Sequence, residues 1–180
     1  YATKDSKTGI PRGFSTPSKR IEVYCQVFKD YGYNPLPDYR EPAVSTSERY
    51  PLLIIGEKLL EYCHGWGRVL PSLRKRVPHP FVEINPIAAR ERGIKNGEWV
   101  IIETDNGSIK VKAKLTDTTA PDVVCTQHGW WQGCPSLELP EYDPYSSSGA
   151  NANVLYSSMF ADPISGSLPI KVCPCNVRKL

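Results

Sequence analysis

From Ile109 to Leu115 apolar residues alternate with lysines without a break: Ile109, Val111, Ala113 and Leu115 against Lys110, Lys112 and Lys114. A period of two puts the two sets on opposite faces of a strand, one packed and one wet. Asn106-Gly107 lies just ahead of it, and both residues tolerate positive φ. Trp99–Thr116 is therefore expected to form a hairpin closed by a type I′ turn. Shorter runs repeat the strand signal. PLLIIG, closed by Gly56, reads as a buried strand, as do FVEIN (Phe81–Asn85), Asp122–Gln127 and a last segment near Pro169–Val177. Helices are few and short. Tyr24–Tyr31 ends at Gly32, Pro71–Val77 ends at Pro78, and Pro86 opens a helix to about Arg92 with Gly93 as its stop. Many short strands, few helices and long loops predict a mainly β fold. A small closed barrel fits better than a parallel βαβ sheet.

The barrel is expected over residues 50–180, behind an extended arm or linker over residues 1–49. Residues 1–20 are rich in Gly, Pro, Ser, Thr and Lys and lack an apolar rhythm. A strand is expected at Arg20–Val23. Pro35, Pro37 and Pro42 then mark an extended connector.

The chain has 180 residues, enough for one domain with a real core. A net charge of +3 does not argue for a nucleic-acid protein. No apolar run reaches the roughly 20 residues needed to cross a bilayer, so no direct membrane insertion is expected. The sequence starts at Tyr1 and reads as a piece of something longer. Six cysteines stand at irregular spacing, and Cys173-x-Cys175 has no second pair to complete a tetrahedral metal site. They read as structural thiols of a reducing compartment, which favours the cytoplasm over the periplasm.

His128-Gly129-Trp130-Trp131 opens a long loop that ends in NANVL (151–155). Flat aromatic faces beside amide donors suit a flat, hydrogen-bonding ligand such as a pterin or purine. The plainer reading is packing, with one tryptophan facing the core and the other covering it.

Several blocks, taken in order, carry a resemblance. They are GFSTPSKRIEVY and NPLPDY in the arm, PLLIIG, a loop with His64 and Arg68, LPSLR, PFVEINPIAARERGIKNGEWVIIETDNGSI, PDVVCTQHGWW, NANVL and DPISG, with Lys171 shortly after. Together they resemble the C-terminal, cofactor-binding domain of the molybdopterin oxidoreductases, the dimethyl sulfoxide reductase family. The chain departs from that pattern in three places. No glycine separates Ser18 from Lys19, the string around Lys58 is one residue longer, and Gln132-Gly133-Cys134 follows HGWW where relatives often carry Phe-Pro-Glu.

The resemblance implies a double-psi β-barrel of the aspartate decarboxylase-like kind. It implies a bis(molybdopterin guanine dinucleotide) cofactor with molybdenum or tungsten, in a prokaryotic oxidoreductase of anaerobic respiration. The metal would be held by the cofactor's dithiolenes and by a residue of an earlier domain, where the resemblance also admits an iron–sulfur cluster. Upstream domains of the same chain and an iron–sulfur electron-transfer subunit would be its partners. No catalytic residue and no metal ligand is expected within these residues. The cofactor-binding candidates are Gly56, Lys58, His64, Arg68, His128, Trp130, Asn151, Asn153 and Lys171. Gly56 would admit a close approach of the pyrophosphate to the main chain. Arg68 would make bidentate contact with a phosphate or carbonyl edge. Trp130 would line the pocket wall, and the amides of Asn151 and Asn153 would match pterin or guanine edges. Lys171 would offset phosphate or carbonyl charge. Each has a plainer alternative: a loop histidine for His64, a solvated charge for Arg68, a helix cap for Asn151, a buried turn residue for Asn153, an edge-strand lysine for Lys171. Two other functions stay open. One is an interaction module docking through the arm and the lysine face. The other is a hydrolase using Cys134 and His128.

Overall fold

The computed structural model describes residues 3–36, 38, 39, 41, 44–158, 161–168, 170 and 172–180. The chain divides into two compact units, Tyr1–Glu41 and Pro42–Leu180. The first is built from local turns. The Asp5 carboxylate accepts from the N–H groups of Lys7 and Thr8, both at 2.9 Å. The strand expected at Arg20–Val23 does not form. Thr16 Oγ1 donates to the Arg20 carbonyl at 2.6 Å, and the Ser18 N–H donates to the Glu22 carboxylate at 2.9 Å. Such short side-chain bonds offer the backbone an alternative to a ladder. Helix α1 (Gln26–Asp30) is shorter than expected, and Gly32 follows it at φ +80°.

The second unit holds six strands: β1 (Leu52–Glu57), β2 (Phe81–Ile84), β3 (Trp99–Glu103), β4 (Ser108–Leu115), β5 (Val123–Gln127) and β6 (Cys173–Lys179). They close in the order β1-β5-β2-β4-β3-β6, and β6 returns to β1. Pairs β1/β5 and β2/β4 are parallel and the other four are antiparallel. Parallel neighbours need crossover connections, which is the double-psi arrangement. Closure leaves no edge strand to pair with another chain.

Alternation decides what goes inside. Ile54, Val82, Ile84, Val100, Ile102, Ile109 and Val124 are at 0% exposure, and Val111 and Val177 at 1%. Burying one such side chain contributes roughly 1.5–3 kcal/mol. Lys110, Lys112 and Lys114 point outward, as expected, but not into open water alone. Lys110 and Lys112 lie over Trp99, Lys114 lies over Phe81, and Lys114 pairs with Glu83 at 2.7 Å.

The β3–β4 hairpin forms, but not through a type I′ turn. Neither Asn106 nor Gly107 has positive φ. The Thr104 N–H donates to the Gly107 carbonyl at 2.9 Å, and the Asn106 N–H donates to Thr104 Oγ1 at 3.1 Å. Gly107 answers a different need. A Cβ there would stand 2.8 Å from the Val154 carbonyl oxygen, because the 3-10 turn Ala152–Leu155 crosses against the hairpin. A tertiary approach, and no local φ requirement, fixes this glycine.

Helix α2 (Pro71–Arg74) stops three residues short of expectation, where Arg74 Nε donates to the Pro78 carbonyl at 2.9 Å. Helix α3 (Pro86–Glu91) has Pro86 in its first turn, an Asn85 cap on the Ile87 N–H at 2.9 Å, and Gly93 beyond its end at φ +63°. Strand β6 lies further along the chain than expected, and Pro169 is outside the described residues. All six cysteines are free thiols. No helix among the described residues is long and apolar enough to cross a membrane.

Candidate cofactor pocket

Strands β1 and β5 run parallel, with Gly56 beside Thr126 and Glu57 beside Gln127. Their C-terminal ends therefore emerge side by side. Two loops far apart in sequence begin there, one carrying His64 and Arg68, the other His128, Trp130 and Trp131. Topology, not sequence proximity, assembles the site.

The two loops meet backbone to backbone. A Cβ on Gly129 would stand 2.6 Å from Gly65 Cα, and Gly129 has φ +83°. A Cβ on Gly65 would meet the Trp131 ring at 2.8 Å. His64 itself has φ +52°, a left-handed conformation that costs a non-glycine residue about 1 kcal/mol. With the main chains this close, His64 Nδ1 and His128 Nε2 stand 3.0 Å apart and the ring centroids 5.1 Å apart. One nitrogen must donate and the other accept, so the contact needs at least one neutral ring. Burial, followed by the charges of His64, Arg68 and Lys58, pushes the His128 imidazole below its ordinary value.

The histidine pair divides two hollows. A narrow notch is lined by Glu57, Lys58, Leu59, Tyr62, Arg68 and Gln127 as well as the pair. A cleft of about 480 Å³ on the other side is lined by the pair with Trp66, Val69, Trp131 and Gln132. At the notch, Gln127 Nε2 donates to the Glu57 carboxylate, and burial raises the Glu57 carboxyl above its usual range.

The structure moves several expected ligand groups behind the wall. Arg68 is 1% exposed, and its guanidinium donates to the carbonyls of His64 at 2.5 Å and His128 at 2.8 Å. It is neither solvated nor open to a phosphate. Desolvation lowers it to about 10, so it stays protonated at neutral pH. Trp130 is 0% exposed and forms no wall surface. It packs edge-on against Tyr62 at 5.8 Å between centroids. The packing reading thus holds for Trp130, while Trp131 is 39% exposed. Gly56 lies within β1 rather than after it. A Cβ there would meet only the Ile170 carbonyl at 3.6 Å, an ordinary contact. The space around this position does not demand glycine.

Lys58 is exposed at the end of β1. Asn151 caps the 3-10 turn Ala152–Leu155: its Oδ1 accepts from the Asn153 N–H at 3.1 Å, and its Nδ2 donates to the Pro144 carbonyl at 3.0 Å. Its amide is largely spent on the fold. Asn153 is exposed, not buried. Lys171 lies outside the described residues. The hydrolase reading fails on geometry, because Cys134 is buried with its thiol toward the Val69 carbonyl at 3.5 Å, while His128 faces His64.

Arg74 went unnoticed in the sequence. It is 0% exposed and donates to the carbonyls of Pro78 at 2.9 Å and Gln132 at 3.0 Å. Its guanidinium lies 4.9 Å from the Trp130 ring and that of Arg68 lies 4.6 Å from it. A basic residue in a short helix gives no signal of burial.

The residues fit an anionic, double-headed cofactor. Lys58 would supply a cation at the notch, and the two imidazole edges a donor and an acceptor. Buried Arg68 Nε and Trp130 Nε1 have no hydrogen-bond partner among the described residues, so polar groups remain unspent behind the pair.

Comparison with known proteins agrees with this fit. Residues 52–174 match the family model of the Molydopterin dinucleotide binding domain. Dopamine dehydroxylase from Eggerthella lenta is 36% identical over 182 residues, covering 93% of this chain and 17% of that protein. Acetylene hydratase from Syntrophotalea acetylenica is 30% identical over 136 residues, covering 70% of this chain and 18% of that protein. Dimethyl sulfoxide reductase DmsA from Escherichia coli is 31% identical over 135 residues, covering 65% of this chain and 16% of that protein. The chain thus spans about a sixth of the length of these curated relatives. In structure it resembles acetylene hydratase from Pelobacter acetylenicus with a TM-score of 0.75 and 24% identity, over 94% of this chain and 24% of that one. These matches favour cofactor binding over a general interaction module. The chain belongs to the Molydopterin dinucleotide binding domain family, the cofactor-binding domain of dimethyl sulfoxide reductase-type molybdopterin oxidoreductases.

Proposed function

We propose that this domain grips a bis(molybdopterin guanine dinucleotide) carrying molybdenum or tungsten, within a larger prokaryotic oxidoreductase. The observation that carries the reading is the junction of the β1 and β5 loops, where the His64–His128 pair and Lys58 line one notch. When bound, the cofactor supplies the metal and dithiolene sulfurs on which electron transfer takes place. The chain supplies position and charge. Lys58 neutralises phosphate at the rim. The imidazole pair offers one donor and one acceptor to a pterin edge. Asn153 presents an amide at the surface, while Asn151 holds its turn. Arg68 and Trp130 support the pair from behind.

Upstream domains of the same polypeptide would hold the metal ligand, with an iron–sulfur cluster there or in an electron-transfer subunit. The substrate class stays at the breadth of the relatives, whose names span a dehydroxylase, a hydratase and sulfoxide or nitrate reductases. Gln132, the first residue of Gln132-Gly133-Cys134, lines the wide cleft, and that segment is the one most able to set the choice. The cytoplasm, under anaerobic respiration, is the proposed setting.

The test is nucleotide content. The polypeptide containing this chain, purified with and without Lys58→Glu and His128→Gln, is hydrolysed and its guanine nucleotide quantified. The reading expects guanine in the parent and a several-fold loss in the double variant. Full retention in a folded double variant would sink it.

A further inference from the structure

We infer that Arg68 is a positioning residue: from behind the pocket wall it fixes the distance between the backbones of His64 and His128, and so holds the two imidazoles as one hydrogen-bonded unit. This rests on the pocket described above and assigns the unit, rather than either ring, as what the chain presents to the cofactor.

The geometry carries the inference. One guanidinium donates to the carbonyl oxygens of the same two residues whose rings meet, across a sequence separation of 64. A guanidinium is planar, and its two terminal nitrogens sit a fixed distance apart. Bonded to one carbonyl from each loop, it acts as a spacer. A lysine ammonium is a single point and cannot span both in the same way. The spacer is itself held. The Arg68 guanidinium carbon lies 4.5 Å from the Tyr62 ring and 4.6 Å from the Trp130 ring. Arg74 lies against Trp130 as well, and its Nη1 donates to the Arg68 carbonyl at 3.4 Å.

The energetics point the same way. Arg68 and Arg74 are almost wholly buried, and neither forms an ion pair among the described residues. Buried guanidinium groups without a counter-anion are costly, and apolar residues of similar volume would pack at less cost. What apolar residues cannot do is hold two carbonyls at a set distance. The consequence is protonic. At 3.0 Å the pair tolerates one donor facing one acceptor, and a second proton sets two donors against each other. The charged and titratable groups facing the pair are Glu57, Lys58, Tyr62 and Arg68. Glu57, the one acid among them, already accepts from Gln127.

The experiment is a proton NMR titration of the 180-residue chain without cofactor. It has three histidines, and His79, whose ring packs against Trp99 at 5.7 Å, serves as the internal reference. In the parent, proton uptake by His128 is expected to move the ring signals of His64 as well as its own. In Arg68→Lys that linkage is lost, with His79 unmoved. Arg74→Lys touches the same tryptophan but neither histidine carbonyl. It lowers the melting temperature and leaves the linked titration intact. An unchanged titration in Arg68→Lys overturns the inference, as does an equal change in Arg74→Lys. Should Arg68→Lys fail to fold, His64→Gln replaces it: an unmoved His128 titration there shows no linkage and overturns the inference equally. A chain that shows the linkage but whose parent polypeptide retains no guanine nucleotide refutes the pocket reading and leaves the Arg68 role standing.

Discussion

Two loop regions at the same end of the barrel differ in what their glycines and polar groups are for. At the β3–β4 hairpin, Gly107 admits the Val154 carbonyl, Thr104 Oγ1 donates to the Leu155 carbonyl at 2.9 Å, and Asn106 Nδ2 donates to the same oxygen at 3.3 Å. Polar groups there close on one another. At the β1–β5 loop junction the balance runs the other way. His64 sits at positive φ, two loops touch glycine on glycine, and two guanidinium groups are buried without a carboxylate. Unpaired buried atoms also gather there, among them Arg68 Nε, Arg74 Nη2 and Trp130 Nε1. The first region stabilises the barrel. The second draws on that stability to hold two imidazoles in a fixed arrangement.

The largest effect that can test this contrast is on the scaffold. Ile102→Ala removes a side chain at 0% exposure on β3 and is expected to cost about 2–5 kcal/mol in chemical denaturation. The linked titration of the histidines should survive in whatever fraction stays folded. A smaller but more local effect is expected from Gly129→Ala, which meets both a positive φ and the Gly65 backbone. It should cost about 1–3 kcal/mol and separate the loops, seen as loss of the His64–His128 linkage by NMR. Gly107→Ala is the matched control, with the hairpin loosened and the histidines untouched.

Next in size is pH. His128 is pushed below its ordinary 6.5 chiefly by burial, so the unfolded chain binds the proton more readily than the folded one. Its contribution is fully present above 6.5 and is lost as pH falls below that value toward the folded one. His79 is lowered too, by burial and then by Lys112 and Arg74, and acts with the same sign. Denaturation between pH 7.5 and 5 should show stability falling with pH, and His128→Gln should flatten part of the slope. The smallest effect is expected on the outer lysine face. Lys110→Ala should change stability by less than about 0.5 kcal/mol and leave guanine content unchanged. A loss of guanine there would mean that the cofactor reaches the wrong face of the barrel.

How much of this was legible follows the range of each force. The alternation at Ile109–Leu115 and the Pro86–Gly93 punctuation are local, and both elements stand where they were expected. Asn106-Gly107 marked the hairpin correctly and its turn type wrongly, because the 3-10 turn Ala152–Leu155 crosses there, a contact no local rule anticipates. Arg20–Val23 had strand-like residues but no ladder. His64, Arg68 and His128 could be named together only through a family pattern, and that pattern carried no sign that Arg68 and Trp130 stand behind the surface.

The sequence by itself determined the class of scaffold, since a period of two and the placement of proline and glycine act within a few residues. It also determined the set of side chains available to a cofactor. Only the tertiary structure decided which of them stand at the surface. The parallel pairing of β1 with β5 brings distant loops together, and burial then divides their residues into a surface pair and a hidden support. Those outcomes depend on distances through space that neighbours in the chain do not encode.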